Sequence, residues 1–90
     1  METQNLRAFV LVAQTGSFSL AAQRLHLTQP AVSKRVAQLE EQLGAVLFDR
    51  IGRHVSLTEA GQALLPHARA VEQALGAAQQ SVLDLAGEVA

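Results

Sequence analysis

The sequence predicts a mainly α-helical protein in which three short helices precede a small β-hairpin and one long C-terminal helix. Apolar residues recur at intervals of three and four along most of the 90 residues, as they do on one face of a helix. Serine, threonine and glycine stand at the ends of these periodic segments, where helix caps are expected. Between residues 46 and 57 the helical period is lost around a glycine, which favours two short strands.

The first two helices follow from apolar spacing and from residues that can end or cap a helix. Helix one is predicted over residues 3–15, with Gly16 as its stop. Helix two is predicted over residues 18–25, after Ser17 or Ser19, either of which can accept a hydrogen bond from an amide of the first turn. The positions predicted to share the buried face are Leu6, Phe9, Val10 and Ala13 in helix one and Phe18, Ala21, Ala22 and Leu25 in helix two.

Helix three is expected to begin after a capping Thr28 and to end at Gly44, with Pro30 in its first turn, where no backbone N–H is needed. Its apolar stripe lies opposite Lys34, so its N-terminal end presents small and polar groups. The stripe consists of Val32, Val36, Leu39 and Leu43. Residues 26–28 connect helices two and three, which predicts a helix-turn-helix whose second helix can enter a major groove. Because this connection has no glycine, one of its residues is expected to adopt a less favourable backbone conformation.

The segment after helix three predicts a wing and then a long helix. Two short strands around Gly52 form the wing, so the predicted fold is a winged helix-turn-helix. Thr58 is expected to cap the last helix, and Glu59 is favourably placed at its positive end. Pro66 is expected to kink this helix, and Gly76 to cost about 1 kcal/mol relative to alanine.

Apolar residues of the last helix recur at heptad spacing, which is typical of a helix that pairs with another helix. This heptad seam consists of Leu64, Ala68, Val71, Leu75, Ala78, Val82, Leu85 and Val89. A helix from Thr58 to about Gly87 is about 45 Å long. The preceding 57 residues cannot cover so long a stripe. A homodimer through the last helix is therefore predicted.

Charge is uneven along the chain. Residues 1–57 contain six basic and four acidic residues, a net charge of +2, whereas residues 58–90 contain one basic and four acidic residues, a net charge of −3. The first part can face a polyanion and the second cannot. This balance is nevertheless weaker than the strongly basic one typical of nucleic-acid binders, so composition alone does not indicate DNA binding.

Composition and motifs argue against an enzyme, a metal site and a membrane protein. The spacing of His26, His54 and His67 matches no metal-ligand motif, and the chain has no cysteine. There is no nucleophile elbow and no Gly-rich phosphate loop, so no cofactor is expected. No apolar run approaches the roughly 20 residues that span a bilayer, and Met1 begins an amphipathic pattern and not a signal peptide. A cytoplasmic protein without a membrane partner is predicted.

Two blocks of the sequence resemble a known family in order and spacing. They are GSFSLAAQRLHLTQPAVSKRVAQLEEQLGAVLFDR and LTEAGQALL, and they are similar to the N-terminal DNA-binding region of LysR-type bacterial transcriptional regulators over about residues 6–65. The resemblance implies a winged helix-turn-helix domain over residues 1–57 and a linker helix over residues 58–90 that pairs antiparallel in a homodimer. It also implies sequence-specific binding to a double-stranded DNA operator with two half-sites, at the bacterial nucleoid. An effector ligand is expected only for a separate C-terminal sensing domain of such regulators.

The same resemblance implies that DNA is contacted by the N-terminal end of helix three and by the wing. The implied contact residues are Thr28, Gln29, Pro30, Ser33 and Lys34 of helix three, with Arg50 and Arg53 of the wing. Glutamine can pair with adenine, lysine can reach guanine or phosphate, serine can contact either a base or a phosphate, and proline offers an apolar edge to a thymine methyl group. Arg53 stands at the predicted wing tip, where it would reach the minor groove or its phosphates. Arg50 can equally pair with Asp49 or Glu40.

Two interpretations compete with DNA recognition. In the first, the polar residues of helix three are solvated and contact no ligand. Ser17, Ser19 and Thr28 are also candidate caps, so truncating them can lower the stability of the fold as well as remove a phosphate contact. Alternatively, the seam from Leu64 to Val89 can make the protein a helical interaction module in which the wing is only structural. Salt dependence separates these functions, because phosphate contacts release counterions and DNA affinity then falls steeply with salt, whereas apolar helix association changes little.

Overall fold

The computed structural model describes residues 1–52 and 54–88, over which four helices and one two-stranded antiparallel sheet follow one another. The elements are α1 (Thr3–Thr15), α2 (Phe18–Leu25), α3 (Gln29–Leu43), β1 (Phe48–Ile51), β2 (His54–Leu57) and α4 (Glu59–Glu88). This order confirms the predicted winged helix-turn-helix with a long C-terminal helix. The bounds of α1 and α2 agree with the predicted ones.

Side-chain caps and glycines set the ends of the first three helices. The Ser17 hydroxyl accepts a hydrogen bond from the Leu20 amide at 3.1 Å, so Ser17 is the cap of α2. The Thr28 hydroxyl accepts one from the Ala31 amide at 3.3 Å and caps α3. The glycines that follow α1 and α3 have φ values of 69° and 65°, a left-handed conformation that ends a helix at little cost for glycine.

His26 takes the unfavourable position in the turn between α2 and α3. Its φ of 56° and ψ of 41° are left-handed, and it is the one non-glycine residue with a positive φ in the described part of the chain. The next amide, that of Leu27, donates to the Ala22 carbonyl at 2.9 Å and closes the turn. The expectation that a residue of this glycine-free connection adopts a less favourable conformation is confirmed.

The core lies between α1, α2, α3 and the start of the hairpin. The Phe48 ring is central to it, with its centroid 5.3 Å from that of Phe9 and 5.8 Å from that of Phe18. The buried members of the predicted faces are Leu6, Phe9, Val10, Phe18, Ala21, Ala22, Val32, Val36 and Leu39, and Ala13 and Leu25 pack against them half-buried. Each large apolar side chain in this set stabilises the fold by about 1.5 to 3 kcal/mol. The prediction for Leu43 is wrong, since 40% of it is exposed in the last turn of α3, where the chain turns away at Gly44.

Hydrogen bonds on both sides hold the start of the hairpin. A carboxylate oxygen of Glu40, on α3, accepts from the Leu47 amide at 2.7 Å. Thr58 donates its amide to the Leu47 carbonyl at 3.0 Å and its hydroxyl to the Val46 carbonyl at 2.6 Å. The same hydroxyl accepts from the Gly61 amide at 3.1 Å, so Thr58 caps α4 as predicted. The positions of α3, the wing and α4 are thereby fixed relative to one another.

The long helix α4 leaves the rest of the chain midway along its length. It continues through Pro66, and in this first part Leu64 is half-buried and Ala68 is only 1% exposed. Assigning Ala68 to the partner-facing seam is therefore wrong, because the core of its own chain covers it. The seam residues that are exposed are Val71, Leu75, Ala78, Val82 and Leu85, and Val89 lies outside the described residues. None of the described helices combines the length and the apolarity needed to cross a membrane.

Candidate nucleic-acid interface

The N-terminal end of α3 brings together the contact residues that the sequence predicts for this helix. Gln29, Pro30 and Lys34 are exposed and Ser33 is half-buried. Ser33 follows Gln29 by four positions and Lys34 follows Pro30 by four, so all four residues share one side of the helix. We call them the recognition surface. Thr28 precedes it, and its hydroxyl is engaged as the cap of α3.

Gln29 and Ser33 interact within the recognition surface. The Gln29 side-chain amide donates to the Ser33 hydroxyl, with 3.5 Å between nitrogen and oxygen. A hydrogen bond of this length on an exposed surface is weak, so both side chains can give it up and form hydrogen bonds with the edge of a base instead. The glutamine amide has one acceptor and two donor positions, which match the N6 and N7 positions of adenine. The pair therefore offers hydrogen-bonding groups that are already oriented along the helix.

The wing presents Arg50 on its first strand. In the antiparallel register, Arg50 lies opposite Val55 and Ile51 opposite His54. Both Arg50 and Ile51 are exposed. Arg53, the predicted wing-tip contact, lies outside the described residues.

The partner of the Arg50 guanidinium is an aromatic ring. Its Cζ lies 4.1 Å from the centroid of Phe18, the first residue of α2. Glu40, one of the two carboxylates considered as a partner for Arg50, accepts instead from the Leu47 amide. The sequence interpretation missed the contact with Phe18, because the two residues are far apart in the chain and no periodic spacing relates them.

A cleft of about 400 Å³ separates α3 from the wing. Its lining consists of Phe18, Ser33, Val36, Ala37, Glu40, Val46, Phe48 and Arg50. It joins Ser33 of the recognition surface to Arg50 of the wing, and two aromatic rings contribute to its walls. The recognition surface and the wing therefore border one continuous concave surface, which we call the helix–wing cleft.

The exposed charges differ between this surface and α4. Lys34 on α3 and Arg50 on β1 are exposed, and so are the acidic Glu41 at the far end of α3 and Asp49 beside Arg50. Among the described residues, α4 exposes Glu59 and Asp84 with one arginine, Arg69. A polyanion would therefore be attracted locally, at Lys34 and Arg50, and disfavoured along α4. Within residues 1–52 and 54–88, no three His, Cys, Asp or Glu side chains are grouped so that they could hold a metal ion.

Sequence comparison identifies relatives of the chain. Residues 3–62 match the family described as bacterial regulatory helix-turn-helix proteins, lysR family. An uncharacterized HTH-type transcriptional regulator from the ibpB-leuC intergenic region of Azotobacter vinelandii is 56% identical over 89 residues, which cover 99% of this chain and 62% of that protein. The chain thus spans less than two thirds of the length of this relative.

Two solved structures that contain DNA have the same fold. The chain superposes on the CbnR DBD of a CbnR DBD–DNA complex with a TM-score of 0.84 and 37% identity, covering 96% of this chain and 99% of that one. It superposes on the BenM DBD of a complex with benA site 1 DNA with a TM-score of 0.86 and 32% identity, covering 96% and 97%. The arrangement of α1 to α4 and the wing is therefore shared with both.

Proposed function

Because the chain belongs to the lysR family of bacterial regulatory helix-turn-helix proteins, we propose that it binds double-stranded DNA sequence-specifically as the DNA-binding part of a transcriptional regulator. The observation that carries this proposal is the exposed end of α3, where Gln29 and Ser33 offer hydrogen-bonding groups beside a cleft that leads to Arg50. An α-helix fits into a major groove, and a wing beside it can reach the neighbouring groove. Such a regulator acts in the bacterial cytoplasm, at the nucleoid.

In this proposal the recognition surface reads base edges in the major groove. Gln29 pairs with an adenine through two hydrogen bonds, and Ser33 contacts a base or a phosphate. Pro30 packs against a thymine methyl group, and Lys34 reaches guanine O6 and N7 or a phosphate. Thr28 stands at the N-terminus of α3, where backbone N–H groups and the helix dipole favour a phosphate. These roles require an end of the helix that is free of other contacts, and exposure of Gln29, Pro30 and Lys34 supports this.

The wing contributes arginine contacts that depend less on sequence. Arg50 takes a phosphate, and Arg53 enters the minor groove, where narrow A·T-rich segments concentrate negative potential. The guanidinium suits both roles because it is planar and always charged.

Two copies of the chain read two half-sites through a dimer along α4. The exposed seam from Val71 to Leu85 is the proposed contact, in an antiparallel arrangement. The division into a DNA-binding domain at residues 1–57 and a linker helix at residues 58–90 is part of the same proposal. In a full-length regulator of this kind, an effector would be bound by a C-terminal sensing domain and not by these residues.

Selection of bound fragments from a random duplex pool tests the proposed function directly. We expect enrichment of a sequence with two related half-sites, because a dimer with twofold symmetry favours a palindrome. We also expect affinity for the enriched duplex to fall steeply with salt, since each neutralised phosphate releases counterions. No enrichment, together with self-association that changes little with salt, would instead support a helical interaction module.

A matched pair of glutamine variants tests base reading by α3. Gln29→Ala should lower affinity by about 1 to 3 kcal/mol for the preferred base at particular positions, because a bidentate contact is lost. Gln42→Ala is the control, since Gln42 is exposed at the far end of the same helix and should leave the base preference unchanged. If Gln29→Ala weakened binding to all duplexes equally, Gln29 would position the protein and would not read bases.

A further inference from the structure

Phe18 connects the core to the surface beside the wing. Only 7% of the residue is exposed, and its ring meets the Phe48 ring at 5.8 Å in an edge-to-face arrangement. Phe48 in turn contacts Phe9 at 5.3 Å between ring centroids. The position of the Phe18 ring is therefore fixed by the aromatic core, and Ser17, which caps α2, fixes the backbone just before it.

The Arg50 side chain is exposed yet ordered by this ring. Its Cζ lies 4.1 Å from the Phe18 centroid, within the roughly 6 Å over which a cation is attracted to an aromatic face. A long exposed arginine otherwise loses rotamer entropy when a ligand immobilises it. Stacking on Phe18 restricts the guanidinium before any ligand arrives, which lowers this cost at the moment of binding.

The acidic residue that lines the cleft, Glu40, already has a hydrogen-bond partner. Glu40 lines the same helix–wing cleft as Arg50, but its carboxylate accepts from the Leu47 amide at 2.7 Å. The contact with the Phe18 face uses no oxygen or nitrogen acceptor, so the N–H donors of the planar guanidinium are left for a ligand at the cleft. Such a planar fork fits a phosphate through two parallel hydrogen bonds.

We propose that Phe18 is a positioning residue for DNA recognition, which holds the Arg50 guanidinium at the helix–wing cleft so that it clamps one backbone phosphate. A helix in a major groove and a wing at the adjacent minor groove lie on either side of one sugar–phosphate strand, so a cleft between them lies over that strand. The phosphate contact fixes how α3 enters the groove. This inference rests on the DNA binding proposed above and assigns a further role to a residue of the core.

The first test examines the stacking in the free protein by NMR. The Arg50 side-chain protons should be shifted upfield by the ring current of Phe18, and Phe18→Leu should abolish this shift. Phe9→Leu is the matched control, because Phe9 is a buried ring of the same cluster that contacts Phe48. Arg50 resonances that do not move in Phe18→Leu would overturn the positioning role.

The second test is a double-mutant cycle on the enriched duplex at several salt concentrations. Arg50→Ala should reduce the magnitude of the salt slope by about 0.9 per protomer, the value for one phosphate. Phe18→Leu should weaken binding about two- to fivefold per protomer, which corresponds to an exposed cation–π contact. In the Arg50→Ala background it should cause no further loss, whereas Phe9→Leu should have the same effect on affinity in both backgrounds.

Each contrary result has a distinct meaning. If Phe18→Leu weakens binding equally with and without Arg50, the ring acts only through the fold and the inference fails. If Arg50→Ala leaves the salt slope unchanged while the unmodified chain binds the duplex, the inference fails and the proposed function stands. If the unmodified chain binds no duplex, the proposed function itself fails. If Phe18→Leu is too unstable, Arg50→Lys replaces it. This variant keeps the charge and the salt slope but loses the planar fork. Unchanged affinity of Arg50→Lys would overturn the inference.

Discussion

The two halves of α4 have the same spacing of apolar residues and differ in what covers them. In residues 59–70 the seam is packed on the core of its own chain, and Ala68 is 1% exposed. From residue 71 onward the described seam is increasingly exposed, with 37% at Val71, 50% at Leu75 and 67% at Val82. An apolar period therefore identifies a face of a helix but not the surface that the face contacts.

Because of this difference in burial, the first half of α4 contributes to folding and the second half is available for association. The first half stabilises the winged helix-turn-helix, because it packs on the core and its Gly61 amide donates to the capping Thr58 hydroxyl. The second half is more exposed, and most of the stability of a helix in a protein comes from packing of its apolar face. Under the proposed dimer, its order depends on a second copy of the chain.

The largest effect is expected when the exposed half is made charged. Leu75→Glu combined with Val82→Glu should remove about 4 to 8 kcal/mol from association, because four partly exposed apolar side chains per dimer lose their contact area. Sedimentation should show monomers, and circular dichroism should show a partial loss of helix confined to the end of α4. An unmodified chain that is already monomeric at micromolar concentration would contradict the proposed dimer.

A single charge in the covered half should instead unfold the protein. Ala68→Glu places a carboxylate without a partner in the core and should destabilise the fold by about 3 to 5 kcal/mol, measured by denaturant titration. Ala70→Glu is the control, since Ala70 is exposed and lies on the other side of α4 from Ala68. Its effect should stay within about 0.5 kcal/mol. Equal effects of the two variants would mean that the core does not cover Ala68 in solution.

Much of this fold is predictable from local sequence, because helix ends depend on neighbouring residues. Ser17, Thr28 and Gly44 set ends where capping chemistry predicts them, and the lack of glycine before Thr28 predicts the strained turn at His26. Burial of Ala68 is not predictable in this way, since heptad spacing is the same on both sides of it.

The candidate site likewise has one part that is predictable from local sequence and one part that is not. The recognition surface occupies a single helical stretch, so its residues share a side as the sequence predicts. The contact of Arg50 with Phe18 joins residues that are distant in the chain, and the bond from the Leu47 amide to Glu40 spans the connection between α3 and β1. Such contacts arise from tertiary packing, which no periodic pattern records.

Each half of α4 contains a glycine, and the surroundings of the two glycines differ. In the covered half, a Cβ at Gly61 would collide with the Leu47 carbonyl oxygen and lie 2.8 Å from a methyl group of Leu57. The carbonyl cannot move freely, because it accepts the Thr58 amide. Gly61→Ala should therefore destabilise the fold by about 1 to 3 kcal/mol, as overpacking does, in a denaturant titration. An unchanged midpoint would show that the start of the hairpin shifts without cost.

In the exposed half, the same substitution should have the opposite sign. Within the described part of the chain, nothing lies within 4 Å of a Cβ built at Gly76, so an added methyl group meets no neighbour there. Alanine is favoured over glycine inside a helix by about 1 kcal/mol, because less backbone entropy is lost on folding. Gly76→Ala should therefore raise the melting temperature by about 4 to 8 °C. Sedimentation of the same variant is the control. If Gly76→Ala weakens the dimer while it stabilises the helix, the added methyl group meets the second chain. The backbone of the partner would then lie close to α4 at Gly76.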